Sequence, residues 1–206
     1  MPVLVPAPRP GRPCNRDESL DKEQPLVWTV ESFWTPEQCA AFIARIDDIG
    51  ARPAPIMRGG KERYEPGVRN NSRVMFDDQP LADALDELAR PHIPPVMFAG
   101  AMRPAGICMN ERFRGYRYEP GEQFAPHFDG SFKRDEREES LLTFMIYLNE
   151  GFGGGATRFE DFDVTVTPHT GLAIFFQHRL LHEGCRVESG TKYILRSDIL
   201  YRAVSP

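Results

Sequence analysis

His127-Phe128-Asp129 and a lone His182 far downstream are the residues of this chain whose types and spacing best suit chemistry. Side chains on an extended strand alternate faces, so a histidine and a carboxylate two positions apart point the same way. A second histidine delivered by a distant strand would complete two imidazoles and one carboxylate on one side of a metal. Such a set leaves half of an octahedron open and suits non-haem Fe(II) and oxygen chemistry. Each piece alone has a plainer reading, because His-x-Asp recurs by chance and a lone histidine more often serves as a hydrogen-bonding group. The surroundings decide.

Upstream, Arg117-Tyr118-Glu119 leads into Pro120-Gly121 and then Phe124-Ala125-Pro126-His127, which reads as strand, turn and strand. The turn returns Tyr118 to the neighbourhood of His127. Downstream, the apolar run Gly171 to Phe176 leads to Leu181-His182-Glu183-Gly184 and then to Ser189-Gly190-Thr191-Lys192. A hairpin there is expected to set Lys192 on the strand paired beside the one bearing His182.

The elements that must position these residues follow from composition and period. Leu26 to Val30 reads as an opening strand. Thr35-Pro36-Glu37 supplies a cap, a proline at the first helical position and an early acid, with Phe42, Ile43, Ile46 and Ile49 at helical spacing and Gly50 to stop. Residues 51–73 read as a long loop, with a short strand around Arg69 to Met75, and its length favours a lid. A second helix is expected from Pro80 to Arg90 with Leu81, Ala84, Leu85 and Leu88 inward, ended by Pro91. From Arg103 onward strand follows strand, at 107–118, 123–128, 141–148, 156–159, 163–167, 171–177, 181–187 and 191–202. The expected fold is α+β and mainly β: a double-stranded β-helix, or jelly roll, with the N-terminal helices packed on one sheet. The expected organisation is a Pro-rich tail at 1–24 and one domain at 25–206, divided into helical support at 25–102 and a catalytic β core at 103–203.

The order Tyr118, Gly121, His127-x-Asp129, Gly154-Gly155-x-Thr157, His182 and, ten residues on, Lys192 resembles the prolyl 4-hydroxylase-like Fe(II)/2-oxoglutarate dioxygenases over about residues 103–203. The resemblance implies that His127, Asp129 and His182 bind Fe(II), and that 2-oxoglutarate and O2 complete the site, with ascorbate the expected reductant. It implies that Lys192 meets the far carboxylate of 2-oxoglutarate, that the Tyr118 hydroxyl donates to the same carboxylate, and that Thr143 adds a donor. The implied reaction is hydroxylation of a C–H bond with release of succinate and CO2. The implied substrate is a prolyl or other side chain in a protein or peptide; a free amino acid or small natural product is the alternative.

Other residues carry weaker signals. Arg196, four positions after Lys192 and on its face, either shares the far carboxylate, meets the primary substrate, or pairs with Asp198 or Glu183. Arg112 and Arg114 share parity with Tyr116 and Tyr118 and are candidates for a substrate-lined mouth, unless Gly115 introduces a bulge that breaks the phase. The loop Arg69 to Arg73 is either substrate-contacting, with Arg73 a further candidate, or merely capped by local side-chain bonds. His178 and His182 are four apart, but the strand-like sequence around them argues against a helical zinc pair, leaving His178 as a structural hydrogen-bonder. His169 and His92 read as non-ligands. Gly153-Gly154-Gly155 lacks the Lys-Ser/Thr and helix of a phosphate cradle. A cupin-like metal-binding or sensor protein would share the fold without turnover.

Composition narrows the classes. At 206 residues the chain suits one domain with a sizeable core. A net charge of -5 gives no global footprint for nucleic acid or an anionic membrane surface, so nucleobase demethylation is disfavoured and no membrane or nucleic-acid partner is expected. No stretch approaches 18 apolar residues and the start lacks a secretory signal. Cys14, Cys39, Cys108 and Cys185 are scattered, which points to a reducing, cytoplasmic setting. The run Lys133 to Glu139, charged at all seven positions, reads as a solvated loop. Oligomeric state has no signal.

Overall fold

The first helix begins where the Thr35 hydroxyl accepts the Gln38 backbone N–H and the Gln38 side chain accepts the Thr35 N–H, a reciprocal cap followed by Pro36. The structure is a computed structural model that describes residues 20–204. In chain order its elements are β1 (Val27–Val30), α1 (Pro36–Ile49), β2 (Arg52–Pro53), β3 (Ile56–Arg58), β4 (Lys61–Arg63), β5 (Ser72–Asp77), α2 (Gln79–Ala89), β6 (Met102–Met109), β7 (Arg112–Tyr118) and β8 (Phe124–His127). Then come β9 (Glu138–Tyr147), β10 (Gly153–Gly154), β11 (Thr157–Phe159), β12 (Val164–Val166), β13 (Ala173–Gln177), β14 (His182–Gly184), β15 (Val187–Ser189) and β16 (Lys192–Ala203).

Two antiparallel sheets face each other. The major sheet runs β1-β13-β9-β16-β7-β5-β2, with β6 also paired to β16; the minor sheet runs β12-β11-β14-β8. This is a double-stranded β-helix. Strand alternation sorts each side of the major sheet. Phe113, Phe144, Phe175 and Leu195 pack outward with Trp34, Phe42, Ile46 and Leu85 beneath the helices. Tyr116, Tyr118, Met145, Tyr147, Phe176 and Ile194 point inward, toward the minor sheet.

Several sequence expectations are corrected. Lys192 is not on a strand paired beside that of His182: β16 pairs with β7 and β9 in the major sheet, whereas β14 pairs with β8 and β11 in the minor one, so the two residues face each other across the barrel. The expected strand 107–118 is two strands, because Asn110 turns the chain by accepting the Arg112 N–H. The inward stripe of α2 is Ala82, Leu85, Asp86 and Ala89, leaving Leu88 exposed. The reason is polar: the Asp86 carboxylate accepts the backbone N–H groups of Cys108 and Met109 at 2.8 and 3.2 Å and binds Arg90. Ile49 on α1 is likewise exposed. Residues 51–73 carry three short strands, and β5 joins the major sheet beside β7.

Gly115 makes no bulge, since both its pairings run in continuous register. A Cβ there would lie 2.6 Å from Ile46 Cγ1, so the glycine admits α1 against the sheet. Glu138, in the charged run, is buried between Arg134 and Arg202. Residues 1–19 of the expected tail lie outside the described residues. Its remainder is anchored: Leu20 and Asp21 are buried, and the Asp21 backbone exchanges hydrogen bonds with the Gln177 side chain.

Candidate active site

The turn at Pro120-Gly121 carries the chain from β7 of the major sheet into β8 of the minor sheet, and β8 pairs with β14 so that His127 stands opposite His182. The histidine rings lie 4.3 Å apart, centroid to centroid. Each Nδ1 is within reach of a carbonyl two residues back, His127 to Ala125 at 2.8 Å and His182 to Leu180 at 3.0 Å. With Nδ1–H donating there, each Nε2 presents its lone pair to Asp129, 3.7 Å away in both cases. All three ligand-type atoms lie within 4.8 Å of one another.

Charge states suit a cation. Burial, then the neighbouring His182, brings His127 down to about 3, and burial likewise lowers His182, so both imidazoles are neutral near pH 7. Burial alone would raise Asp129, but the Arg196 guanidinium and the two histidines hold it far below the usual carboxylate range. Its oxygens are also oriented: Oδ1 by Arg196 at 3.0 Å and Oδ2 by the Thr143 hydroxyl at 2.6 Å. Two neutral imidazoles and one fixed carboxylate fit Fe(II) with positions to spare. Phe124 stacks on His127 at 3.5 Å, and Phe176 and Phe159 pack on His182, so the ligand rings cannot turn freely.

A cavity opens beside these residues. Lys192, Tyr116, Tyr118, Thr157 and Arg196 are among its walls. Lys192 is paired in register with Tyr118, its ammonium donates to the Gly155 carbonyl, and burial brings its pKa down to about 7. Gly154 and Gly155 both have positive φ, and a Cβ on Gly155 would press to 3.1 Å from the Lys192 side chain.

Other expected site residues fall elsewhere. The Thr143 hydroxyl is committed to Asp129 and to His178 at 2.9 Å, so it is not free to serve a cosubstrate. Arg196 is bound to Asp129 and to Asp198 at 3.3 Å. Arg112, Arg114 and Arg73 do not line the cavity, because acids claim them: Asp77, Asp198 and Glu62 respectively. His178 bridges Thr143 and Ser140 through its ring nitrogens.

Sequence reasoning gave three residues no site role of their own. The Tyr147 hydroxyl, buried behind the cavity, donates to Thr157 at 2.6 Å; the alternation of β9 could have placed it inward. Arg69 is buried, sandwiched with its guanidinium carbon 4.6 Å from the Tyr116 ring and 4.4 Å from the Phe124 ring. Tyr116 was visible only through its parity with Tyr118. Burial would raise its phenol, but Arg69, Arg196 and Arg114 together bring it to about 8.

Comparison with known proteins agrees with this geometry. The family model described as the 2OG-Fe(II) oxygenase superfamily matches residues 113–197. Prolyl 4-hydroxylase subunit alpha-2 of Gallus gallus is 34% identical over 91 residues, which are 37% of this chain and 17% of that protein. The chain spans about a fifth of the length of the curated relatives it matches. Among solved structures, the viral collagen prolyl hydroxylase of Paramecium Bursaria Chlorella virus-1, as its 2OG complex, superposes with a TM-score of 0.60 at 21% identity, covering 86% of this chain and 96% of that one. A prolyl hydroxylase bound to a hypoxia inducible factor oxygen degradation domain peptide fragment, from Trichoplax adhaerens, gives a TM-score of 0.60 at 14% identity, covering 92% and 86%. At these identities the structural likeness is one of fold.

Proposed function

We propose, from the premise that residues 113–197 belong to the 2OG-Fe(II) oxygenase superfamily and are prolyl hydroxylase-like, that this chain is a 2-oxoglutarate-dependent dioxygenase. It hydroxylates a C–H bond, and its expected substrate is a prolyl or similar side chain of a protein or peptide. The observation that carries this reading is the convergence of His127, Asp129 and His182 within 4.8 Å, with the Lys192 ammonium in the same cavity.

His127, Asp129 and His182 hold Fe(II), their orientation set by the Ala125 and Leu180 carbonyls and by Thr143 and Arg196. Bound iron, O2 and 2-oxoglutarate supply oxidative decarboxylation to succinate and CO2, coupled to insertion of one oxygen atom into the substrate. Lys192 receives the far carboxylate of 2-oxoglutarate, a charge-assisted contact worth about 1.5–3 kcal/mol. Tyr118, whose phenol burial raises to about 12, keeps its proton and donates it to the same carboxylate. The aromatic packing on both histidines keeps bulk water from the ligand face. Ascorbate serves as the reductant that keeps the iron ferrous.

No helix among the described residues is long and apolar enough to cross a membrane. Cys39, Cys108 and Cys185 are unpaired, which suits a reducing compartment such as the cytoplasm. A second reading, hydroxylation of a free amino acid or small natural product, is favoured by the Arg196 guanidinium in the cavity wall and by Arg69 against the neighbouring Tyr116 ring. The test is succinate release from 2-oxoglutarate with Fe(II) and ascorbate, with and without cell extract as a source of substrate. Asp129→Ala abolishes iron-dependent release on this reading; turnover retained in that variant removes the aspartate from the metal shell.

A further inference from the structure

Charges around the cavity pair off with one exception. Arg114 and Arg196 face Asp198 and Asp129, two guanidiniums against two carboxylates. On the reading above, Lys192 is neutralised by 2-oxoglutarate. Arg69 remains. It is 4% exposed, and its side-chain contacts among the described residues are neutral: the Asn71 side-chain carbonyl at 2.7 Å and the ring faces of Tyr116 and Phe124. Its Nη2 is buried with no hydrogen-bond partner, and Nε of Arg196 is in the same condition. A guanidinium desolvated to this degree without a counter-charge is costly.

Tyr116 connects these groups to the cavity. Its ring lies 4.6 Å from the Arg69 guanidinium carbon, and against the effect of burial the charges of Arg69 and Arg196 lower its phenol pKa. A guanidinium accepts no hydrogen bond, so the phenol proton is left for another acceptor. Tyr116 is part of the cavity wall. The phenol is therefore a hydrogen-bond donor strengthened from behind by two cations, which suits an anionic acceptor far better than a neutral one.

We propose that the Arg69–Tyr116–Arg196 cluster docks a carboxylate of the primary substrate, separate from the Lys192 end reserved for 2-oxoglutarate. This deepens the oxygenase reading and rests on it. The substrate class becomes an acid, either a free amino acid or related molecule with its own carboxylate, or a peptide presenting an acidic side chain beside the oxidised carbon. A neutral prolyl peptide leaves Arg69 uncompensated.

The test uses the whole chain loaded with Mn(II) and saturating 2-oxoglutarate without oxygen, titrated calorimetrically with N-acetyl amino acids and their matching amides. At least one acid binds about tenfold or more tightly than its amide. Arg69→Gln and Tyr116→Phe each bring that ratio close to one. N-acetylglutamate α-amide, charged only on its side chain, separates a peptide's acidic side chain from a terminal carboxylate. Equal binding of every acid and amide, no binding of any probe, or a preference surviving both substitutions overturns the proposal. Each variant is first titrated with 2-oxoglutarate alone, and one that no longer binds it is set aside as misfolded in favour of the other. Failure of the unaltered protein to bind 2-oxoglutarate sinks the oxygenase reading as well; normal cosubstrate binding without acid preference sinks only the carboxylate site.

Discussion

Nη2 of Arg196 lies 3.0 Å from Oδ1 of Asp129, so the carboxylate expected to bind the metal already holds a cation. The same nitrogen is 3.3 Å from Asp198, and both acids are at least 95% buried. Replacing the guanidinium with an apolar chain of similar length strands two buried carboxylates on Arg114 alone. Arg196→Met therefore destabilises the metal-free protein by about 3–5 kcal/mol, the usual cost of removing one partner of a buried pair. A divalent ion restores part of the missing charge, so the rise in Tm on adding Mn(II) is larger in the variant than in the unaltered protein. Thermal melts with and without Mn(II) decide this. An equal rise in both would mean that Arg196 and the metal do not compensate the same charge.

Lys192 carries the pH dependence. Burial brings its ammonium from the ordinary 10.5 to about 7, whereas the bound carboxylate stabilises the charged form. Below pH 7 the free protein already bears the proton, so cosubstrate affinity is flat. Above pH 7 binding must take up a proton, and Kd for 2-oxoglutarate rises about tenfold per pH unit toward pH 9. The histidine ligands, both lowered, and ionised Asp129 do not titrate in this window. The Tyr116 phenol in the same cavity, brought to about 8, does, and it adds to the slope by repelling the dianion. Titrations of Mn(II)-loaded protein at four pH values read the slope. Lys192→Arg, charged throughout, leaves only the shallower Tyr116 contribution, which Tyr116→Phe removes; an unsloped profile in the unaltered protein removes Lys192 from the cosubstrate site.

How much of this was legible in the residue order depends on whether a local rule governed each position. Period-two alternation turns Tyr118 inward, but β8 ends at His127. Asp129 just beyond it is set by its N–H on the His178 carbonyl and by Thr143 and Arg196, so alternation accounts for only part of the site. The Thr35-Pro36 cap and the Gly50 stop, local rules both, fixed α1. Thr143 could not be read, because the partner of its hydroxyl depends on the register of β9 against β13, which sets His178 alongside. The partner strands of β16 were misread because a turn at Ser189-Gly190 does not say which sheet the next strand joins. Arg69 lies in a segment of weak periodicity, and only the closure of β8 over it places a charge between two rings.

Gly115 supplies the last prediction, and it concerns how the helical layer holds the inward tyrosines. A methyl group at this position would meet Ile46 Cγ1 at 2.6 Å, Val74 Cγ2 at 2.8 Å and Ile46 Cδ1 at 2.9 Å. Ile46 is fully buried on α1, so it has no space into which to retreat. Gly115→Ala gains the stiffness that alanine gives a strand, about 0.5–1 kcal/mol, but overpacking of this kind costs about 1–3 kcal/mol. The crowding wins, and the variant is less stable by about 1–2 kcal/mol in urea. Ile46→Ala alone opens a cavity and costs about 2–5 kcal/mol. Combined with Gly115→Ala it recovers part of that loss, because the new methyl enters the vacated space; the pair is less destabilised than the sum of its parts. Strict additivity in the double-mutant cycle would show that the helix does not bear on the strand at this point. Adjacent Tyr116 is then held in place by some other contact.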